Sequence, residues 1–293
     1  MTPIDTHTKE EVLVKALPYI QTYEGKTFVI KYGGAAMTDD QLKSTFAKDV
    51  TVLRKIGINI IIVHGGGKEI TDLASRLNLQ TRFVDGQRYT DSLMLDAVLM
   101  VLAGKLNKEI VNLINTNSGN AVGLTGMDNM LLRGRRAAPG GNDLGLVGEI
   151  STVNTAFLNS LLTMGLMPVI APLAMGENGE MLNTNADIAA SAIASALKAE
   201  KLVYLSDIEG VMVDGTLVST LSPSRAEQLI HSSAITGGMI PKVRSAFHTV
   251  DAGVHKVHII DGRIKHSLLL EIFTDEGIGT QLVPEDEAAN STS

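Results

Sequence analysis

The chain has 293 residues, 44% of them hydrophobic and 19% charged, with a mean hydropathy of +0.16. That composition belongs to a globular protein long enough for two domains or one large two-lobed unit, and it excludes a disordered or fibrous chain. A formal charge of −7 opposes a role in coating DNA or RNA, and the absence of cysteine excludes disulfide frameworks, thiolate metal sites and cysteine nucleophiles, which fits a reducing cytoplasm.

The first residues, Met1 to Asp5, lack the basic-then-apolar pattern of a secretory leader. The densest apolar run, Ile58 to Val63, is interrupted by Asn59 and too short to cross a bilayer, so no membrane segment is expected. Thr8 and Glu11 have capping-box spacing ahead of a stripe of Val12, Leu13, Ala16, Leu17 and Ile20, which predicts a helix that Pro18 kinks. Residues 1–26 therefore read as an N-terminal helical extension. Thr27 to Tyr32 reads as a strand ending in Gly33-Gly34. Asp39 and Asp40 then open a helix whose Leu42, Phe46, Val50 and Leu53 share one face, and Gly57 stops it. The nearly continuous apolar run from Ile58 to His64 is a strand buried on both faces, as the centre of a parallel sheet requires; it runs into Gly65-Gly66-Gly67 and a helix from Lys68.

Arg133 to Gly148 carries glycines, Pro139 and Asn142-Asp143 and reads as hairpins and loops beside the sheet. The turn-rich Met175 to Glu180 is the expected hinge between a first lobe at 27–178 and a second at 179–293. Beyond it come an Ala-rich helix over Ala186 to Ala199, a strand at Leu202 to Leu205, a Pro-opened helix at Pro223 to Ile230, and a glycine turn at Gly237-Gly238-Met239 leading into another helix. Pro284 to Ser293 is acidic and polar and is expected to fray. Strand, glycine turn and helix alternate, which is α/β construction.

Gly25-Lys26-Thr27 has the end of a P-loop, but Ile20 stands where that motif needs glycine, and the segment enters a strand instead of leaving one. Gly65-x-Gly67 is followed by Ile70, and Gly277-x-Gly279 by Leu282, so the dinucleotide fingerprint is incomplete and a Rossmann dehydrogenase is disfavoured. What remains is Lys31-Tyr32-Gly33-Gly34 after one strand and His64-Gly65-Gly66-Gly67 after the next. Two such turns can point N–H groups at one anion, and Lys31 adds charge at the strand's carboxyl end, where open α/β sheets bind ligands. Either turn alone would be an ordinary tight turn with a solvated lysine; the pair argues for a phosphate site. Asn183 to Asp187 at the head of the Ala-rich helix, and Thr236 to Lys242, are weaker signals. Taken singly, the first is an N-cap and the second a helix start with a surface lysine.

Together with Asp85-Gly86-Gln87-Arg88-Tyr89-Thr90 and Leu205-Ser206-Asp207, these motifs stand in the order seen in the amino acid kinase family, and the resemblance runs from about Val12 to Val283. It implies a three-layer αβα sandwich with an open, mainly parallel sheet, an acyl-substrate and dimerisation lobe first and an ATP lobe second. The match is nearest to the branch that phosphorylates N-acetyl-L-glutamate with ATP, the second step of arginine biosynthesis. By this resemblance Lys31 holds the transferring phosphoryl group, Lys242 the leaving side of ATP, and Asp187 orients both lysines. Gly33, Gly34, Gly65 and Gly66 supply backbone donors, while Arg88, Asn183, Gly66 and Gly67 hold the acyl substrate. Ser206, Asp207, Gly238 and Met239 belong to the nucleotide lobe, and Mg²⁺ travels on the ATP phosphates without a protein-built metal site. Leu17-Pro18-Tyr19-Ile20, His258 to Gly262 and Glu271 to Thr280 are similar to the arginine-inhibited, hexameric branch, a trimer of dimers. There Tyr19, His258, Glu271, Gly277 and Gly279 imply an L-arginine effector site with Glu271 pairing to the guanidinium. Kinases for glutamate or aminoadipate, and a noncatalytic nucleotide sensor, are the alternatives; Arg88 in its setting opposes the first pair, and retention of Lys31, Asp187 and Lys242 opposes the sensor.

Overall fold

The apolar strand that ends at His64 lies inside an eight-stranded sheet, as its lack of polar residues requires. The computed structural model describes residues 6–84, 86–274 and 277–290. Strand order across the sheet is Thr220–Leu221, Thr280–Leu282, Lys256–Asp261, Lys201–Ser206, Thr27–Tyr32, Asn59–His64, Met167–Ala171 and Ala121–Thr125. Every neighbouring pair is parallel except Thr280–Leu282 against Lys256–Asp261. Alternation along the strands divides the core between the faces. Phe28, Ile30, Ile60 and Ile62 pack on one side under the helices Asp40–Lys55 and Asn107–Thr116; Val29, Ile61 and Val63 pack on the other under Thr155–Thr163, Ala186–Leu197 and Met239–Asp251. The three-layer αβα sandwich expected from the sequence is the architecture observed.

Asp39 caps the Asp40–Lys55 helix by accepting from the Leu42 N–H at 2.9 Å, and Asn185 does the same for Ala186–Leu197. The 133–148 region forms strands Leu132–Arg136 and Gly148–Val153, joined by a loop, in a separate four-stranded sheet. Met175 to Glu180, expected as a hinge, forms the end of an antiparallel hairpin between Leu173–Gly176 and Met181–Asn183. A long helical segment went unread in the sequence: Ser92–Leu99 continues through a π-helical turn, Met100–Leu106, into Asn107–Thr116.

Two ends differ from expectation. The first helix spans Thr6–Tyr23, so Thr8 lies inside it and not at its cap; a spacing of three also places two residues on one helical face, which is why the signal misled. Residues 1–5 of the extension lie outside the described residues, as do Asp85, Asp275, Glu276 and the last three positions of the tail. The tail does not fray from Pro284: Glu285–Asn290 is a helix. Glu285 accepts from the Ser224 N–H at 3.0 Å and from the Ser222 hydroxyl at 3.2 Å, while Glu287 pairs with Lys256 at 3.2 Å. A carboxylate at the N-terminus of the Pro223–His231 helix is favoured by the orphan amides and dipole there.

Candidate active site

Parallel strands in register bring their following turns to one edge of the sheet. Tyr32 pairs with His64, so Gly33-Gly34 and Gly65-Gly66-Gly67 emerge side by side, and the Gly65 N–H donates to the Tyr32 carbonyl at 2.9 Å. Across from them lies the N-terminus of the Ala186–Leu197 helix. Together these segments enclose a cavity of about 290 Å³ that Lys31, Gly33, Gly34, Gly65, Gly66, Gly67, Arg88, Asn183 and Asp187 all line. Residues read from four separate motifs thus share one space.

Lys31 Nζ stands 3.0 Å from Asp187 Oδ1. Lys242, on the Met239–Asp251 helix, donates from Nζ to the Ser206 hydroxyl at 2.9 Å. Burial pushes its ammonium below the usual lysine range and nearby Lys31 acts in the same direction, while the carboxylates of Asp187 and Asp207 oppose both. Asp187 therefore pairs with Lys31 and acts electrostatically on Lys242 as well. Gly34, at φ +66°, sits so close to Asp207 that a Cβ there would strike its carboxylate. A Cβ on Gly66 would stand 2.5 Å from a methyl of Leu106 and 2.6 Å from one of Leu102, so the glycine lets the turn lie against the π-helical segment. Because its N–H is already bonded to Tyr32, Gly65 cannot act as the free donor the sequence suggested; its place in the cavity wall stands.

Arg88 comes from a short hairpin in which Phe83 pairs with it, and the Phe83 ring centroid lies 4.9 Å from the guanidinium. Nη2 donates to the Gly67 carbonyl and to the Thr71 hydroxyl, each at 2.8 Å, whereas the buried Nη1 has no partner among the described residues. Burial lowers the Arg88 pKa, but a guanidinium stays charged at neutral pH. Asn183 donates to the Thr90 hydroxyl at 3.1 Å, which in turn donates to the Arg88 carbonyl at 2.9 Å, so the two expected substrate residues are braced through one threonine. A second cavity of about 420 Å³, lined by Gly34, Gly66, Gly67 and Asp207 among others, adjoins the first, and a third of about 390 Å³ includes Asp207, Thr236, Met239 and Arg263. Gly238 is the N-cap residue of the Lys242 helix.

The residues expected at an effector site lie elsewhere. Glu271 is buried, and both of its oxygens are occupied: Oε1 accepts from His258 Nδ1 at 2.6 Å, and Oε2 accepts from the N–H groups of Ile278 at 2.7 Å and Gly279 at 3.1 Å. Burial acts to raise its pKa, but these hydrogen bonds hold the carboxyl below the usual range. The carboxylate expected to be open to a guanidinium is thus bonded within the fold. Lys201, which sequence reasoning missed, completes the chain by donating to His258 Nε2 at 3.0 Å; burial pushes its pKa down to about 8. Its signal was a lysine heading an otherwise apolar strand. Gly277 has φ +61° beside the Glu271 carboxylate, and Tyr19 meets Phe273 edge-on with ring centroids 6.4 Å apart, joining the first helix to the Ser267–Phe273 helix.

The open αβα sheet thus gathers paired glycine turns, two lysines and an aspartate at the carboxyl ends of its strands, the edge where such sheets bind ligands. The chain belongs to the amino acid kinase family, whose model matches residues 26–261. It is 55% identical over 276 residues to a protein named acetylglutamate kinase from Chlorobaculum tepidum, covering 94% of this chain and 96% of that protein. It is 48% identical to one of the same name from Syntrophus aciditrophicus, covering 94% and 97%. Among solved structures, N-acetylglutamate synthase from Neisseria gonorrhoeae, complexed with coenzyme A and N-acetyl-glutamate, superposes with a TM-score of 0.85 at 29% identity; the match covers 94% of this chain and 63% of that one. Carbamate kinase from Giardia lamblia bound to AMP-PNP shares the fold with a TM-score of 0.67 at 16% identity, covering 89% and 99%.

Proposed function

We propose that this chain transfers the γ-phosphoryl group of ATP to the side-chain carboxylate of N-acetyl-L-glutamate, giving ADP and N-acetyl-L-glutamyl 5-phosphate in arginine biosynthesis. The observation that carries the reading is a buried arginine whose Nη1 has no partner among the described residues, in the same cavity as the Lys31–Asp187 pair. A carboxylate fits the first and a phosphoryl group the second. The attacking carboxylate is ionised at neutral pH, so no general base is needed. The barrier is the approach of two anions, and positioned cations and N–H donors lower it. In this reading Lys31 holds the transferring group, Lys242 the leaving phosphates, and Asp187 keeps both ammonium groups in place. Gly33, Gly34 and Gly66 face the phosphates, Arg88 and Asn183 hold the α-carboxylate end with Gly66 and Gly67, and Ser206, Asp207, Gly238 and Met239 lie along the nucleotide. Residues 27–178 act as the acyl lobe and 179–293 as the ATP lobe. Mg²⁺ enters with ATP, held by phosphate oxygens and water.

Arginine inhibition and a hexameric ring, both proposals, find support in the junction of Tyr19 with the Glu271 helix and in the exposure of Val14 and Leu17 on the first helix. A guanidinium there competes with His258 and with the Ile278 and Gly279 amides for Glu271. No helix among the described residues is long and apolar enough to cross a membrane, and the acidic, cysteine-free chain suits the cytoplasm. Hydroxylamine trapping of the acyl phosphate tests the reaction, with N-acetylglutamate, glutamate, aspartate and aminoadipate compared side by side. Trapped product with N-acetylglutamate alone is expected; preference for another acceptor overturns the substrate assignment.

A further inference from the structure

None of the seven histidines is needed as a base, yet one stands directly before the glycine turn. His64 is fully buried. Its Nδ1 lies 3.0 Å from the carbonyl oxygen of Gly65, and its Nε2 lies 3.3 Å from Nδ2 of Asn107, the first residue after the π-helical turn. Asn107 is itself fixed. Its Oδ1 accepts from Lys108 Nζ at 3.1 Å, and its Nδ2 donates one proton to the Val169 carbonyl at 2.9 Å and shares the other between the Leu124 carbonyl and the ring, each at 3.3 Å, so the amide presents a donor to the ring. Nε2 must then accept, and Nδ1 must carry the proton and donate to Gly65. Burial lowers the imidazole pKa to about 4, so the ring is neutral at physiological pH, as this pattern demands.

The consequence lies across one peptide bond. All described peptides are trans, and in a trans peptide the carbonyl and the next N–H point in opposite directions. With the Gly65 oxygen held by the imidazole, the Gly66 N–H faces the other way. Gly66 lines the cavity, and its N–H meets no acceptor among the described residues. Flanked by glycines, this peptide has little steric resistance to turning over, and in the turned state it would present a carbonyl oxygen to the anions.

We infer that His64, set by Asn107, is a positioning residue that locks the Gly65–Gly66 peptide with its N–H aimed at the transferring phosphoryl group. This rests on the phosphoryl-transfer reading above and extends it from the residues that face the substrate to the pair behind them.

The test compares His64→Asn with His64→Gln, because an asparagine amide nitrogen occupies the δ position and donates as Nδ1 does, whereas a glutamine amide oxygen at the ε position accepts as Nε2 does. H64N keeps the donor to Gly65, while H64Q keeps only the Asn107 side. Loss of one preorganised donor lowers kcat about 10²-fold. Expected results are H64N within about fivefold of the native kcat, and H64Q about 10²-fold lower, with KM for both substrates nearly unchanged because the lost interaction belongs to the transition state. A role in packing alone would instead make the loss follow the melting temperature, and H64N, the smaller side chain, would fare worse. A crystal structure of H64Q gives a readout independent of activity: a Gly65 carbonyl turned toward the cavity supports the inference. An unmoved carbonyl with native kcat, or equal impairment of both variants, overturns it. If the native chain yields no acyl phosphate from any acceptor, the functional reading fails on its own, and the orientation of the Gly65 carbonyl in H64Q still decides this one.

Discussion

Replacing Arg88 by lysine keeps the charge and removes the fork. In the native site Nη2 is committed to the Gly67 carbonyl and the Thr71 hydroxyl, both at 2.8 Å, and Nη1 remains for a ligand. A lysine has one nitrogen at the end of a flexible stem. It can replace Nη2 against Gly67 and Thr71 or reach the ligand carboxylate, but it cannot keep the planar geometry that does both. Charge-assisted hydrogen bonds are worth about 1.5–3 kcal/mol, and 1.4 kcal/mol is a factor of ten, so losing the ligand contact weakens the acyl substrate about 10- to 100-fold. Initial rates of acyl phosphate formation, with each substrate varied at saturation of the other, should show KM for N-acetylglutamate raised by that factor and KM for ATP within about twofold of native. An equal rise in both constants, or a fall in kcat with KM unchanged, would refute the placement of Arg88 at the ligand carboxylate.

Lys31→Ala and Lys242→Ala should each lower kcat by about 10²-fold or more, measured in the same assay, and native turnover in either variant would remove its lysine from the transition state. Removal of residues 1–24 should convert hexamers to dimers in sedimentation, leave catalysis largely intact and weaken arginine inhibition; a truncated protein that stays hexameric, or a dimer with full arginine sensitivity, contradicts the coupling. His64 and His258 are both buried, which depresses each imidazole from its usual 6.5 to about 4. Above the unfolded value neither state binds the proton, and as pH falls toward 4 the unfolded chain takes it up first. Stability should therefore fall between about pH 6.5 and 4, by up to about 1.4 kcal/mol per pH unit for each ring. Urea midpoints that stay flat across this window would show that the rings are not held neutral.

What could be read from the sequence followed period and punctuation. The apolar Asn59–His64 strand declared a doubly covered sheet, and glycines after successive strands marked the cleft edge before any contact was known. Lys31, Arg88 and Asp187 were legible from the order of their motifs. What stayed hidden depends on contacts distant in sequence. Asn107 reaches His64 across 43 positions, and Lys201 reaches His258 across 57; neither has a local pattern. Glu271 looked like an open helix carboxylate because nothing local reveals that amides seven and eight residues ahead fold back onto it. The tail misled for the same reason: its acidic composition is that of a frayed end, but Glu285 finds the start of a helix 61 positions earlier.

The π-helical turn at Met100–Leu106 also sets a phase. Such a turn behaves as one extra residue within an α-helix, and each residue of a regular helix rotates about 100° and advances about 1.5 Å. Straightening the segment into regular α-helix at constant length would leave Ser92–Leu99 in place and swing the whole Asn107–Thr116 stretch through about a quarter turn. Asn107 would leave His64, and Ile110 and Ile114 would rotate out of the core they now fill. Substitutions that keep the wide turn leave this phase alone, whereas any that favour regular α-helix at the same length turn every later side chain together.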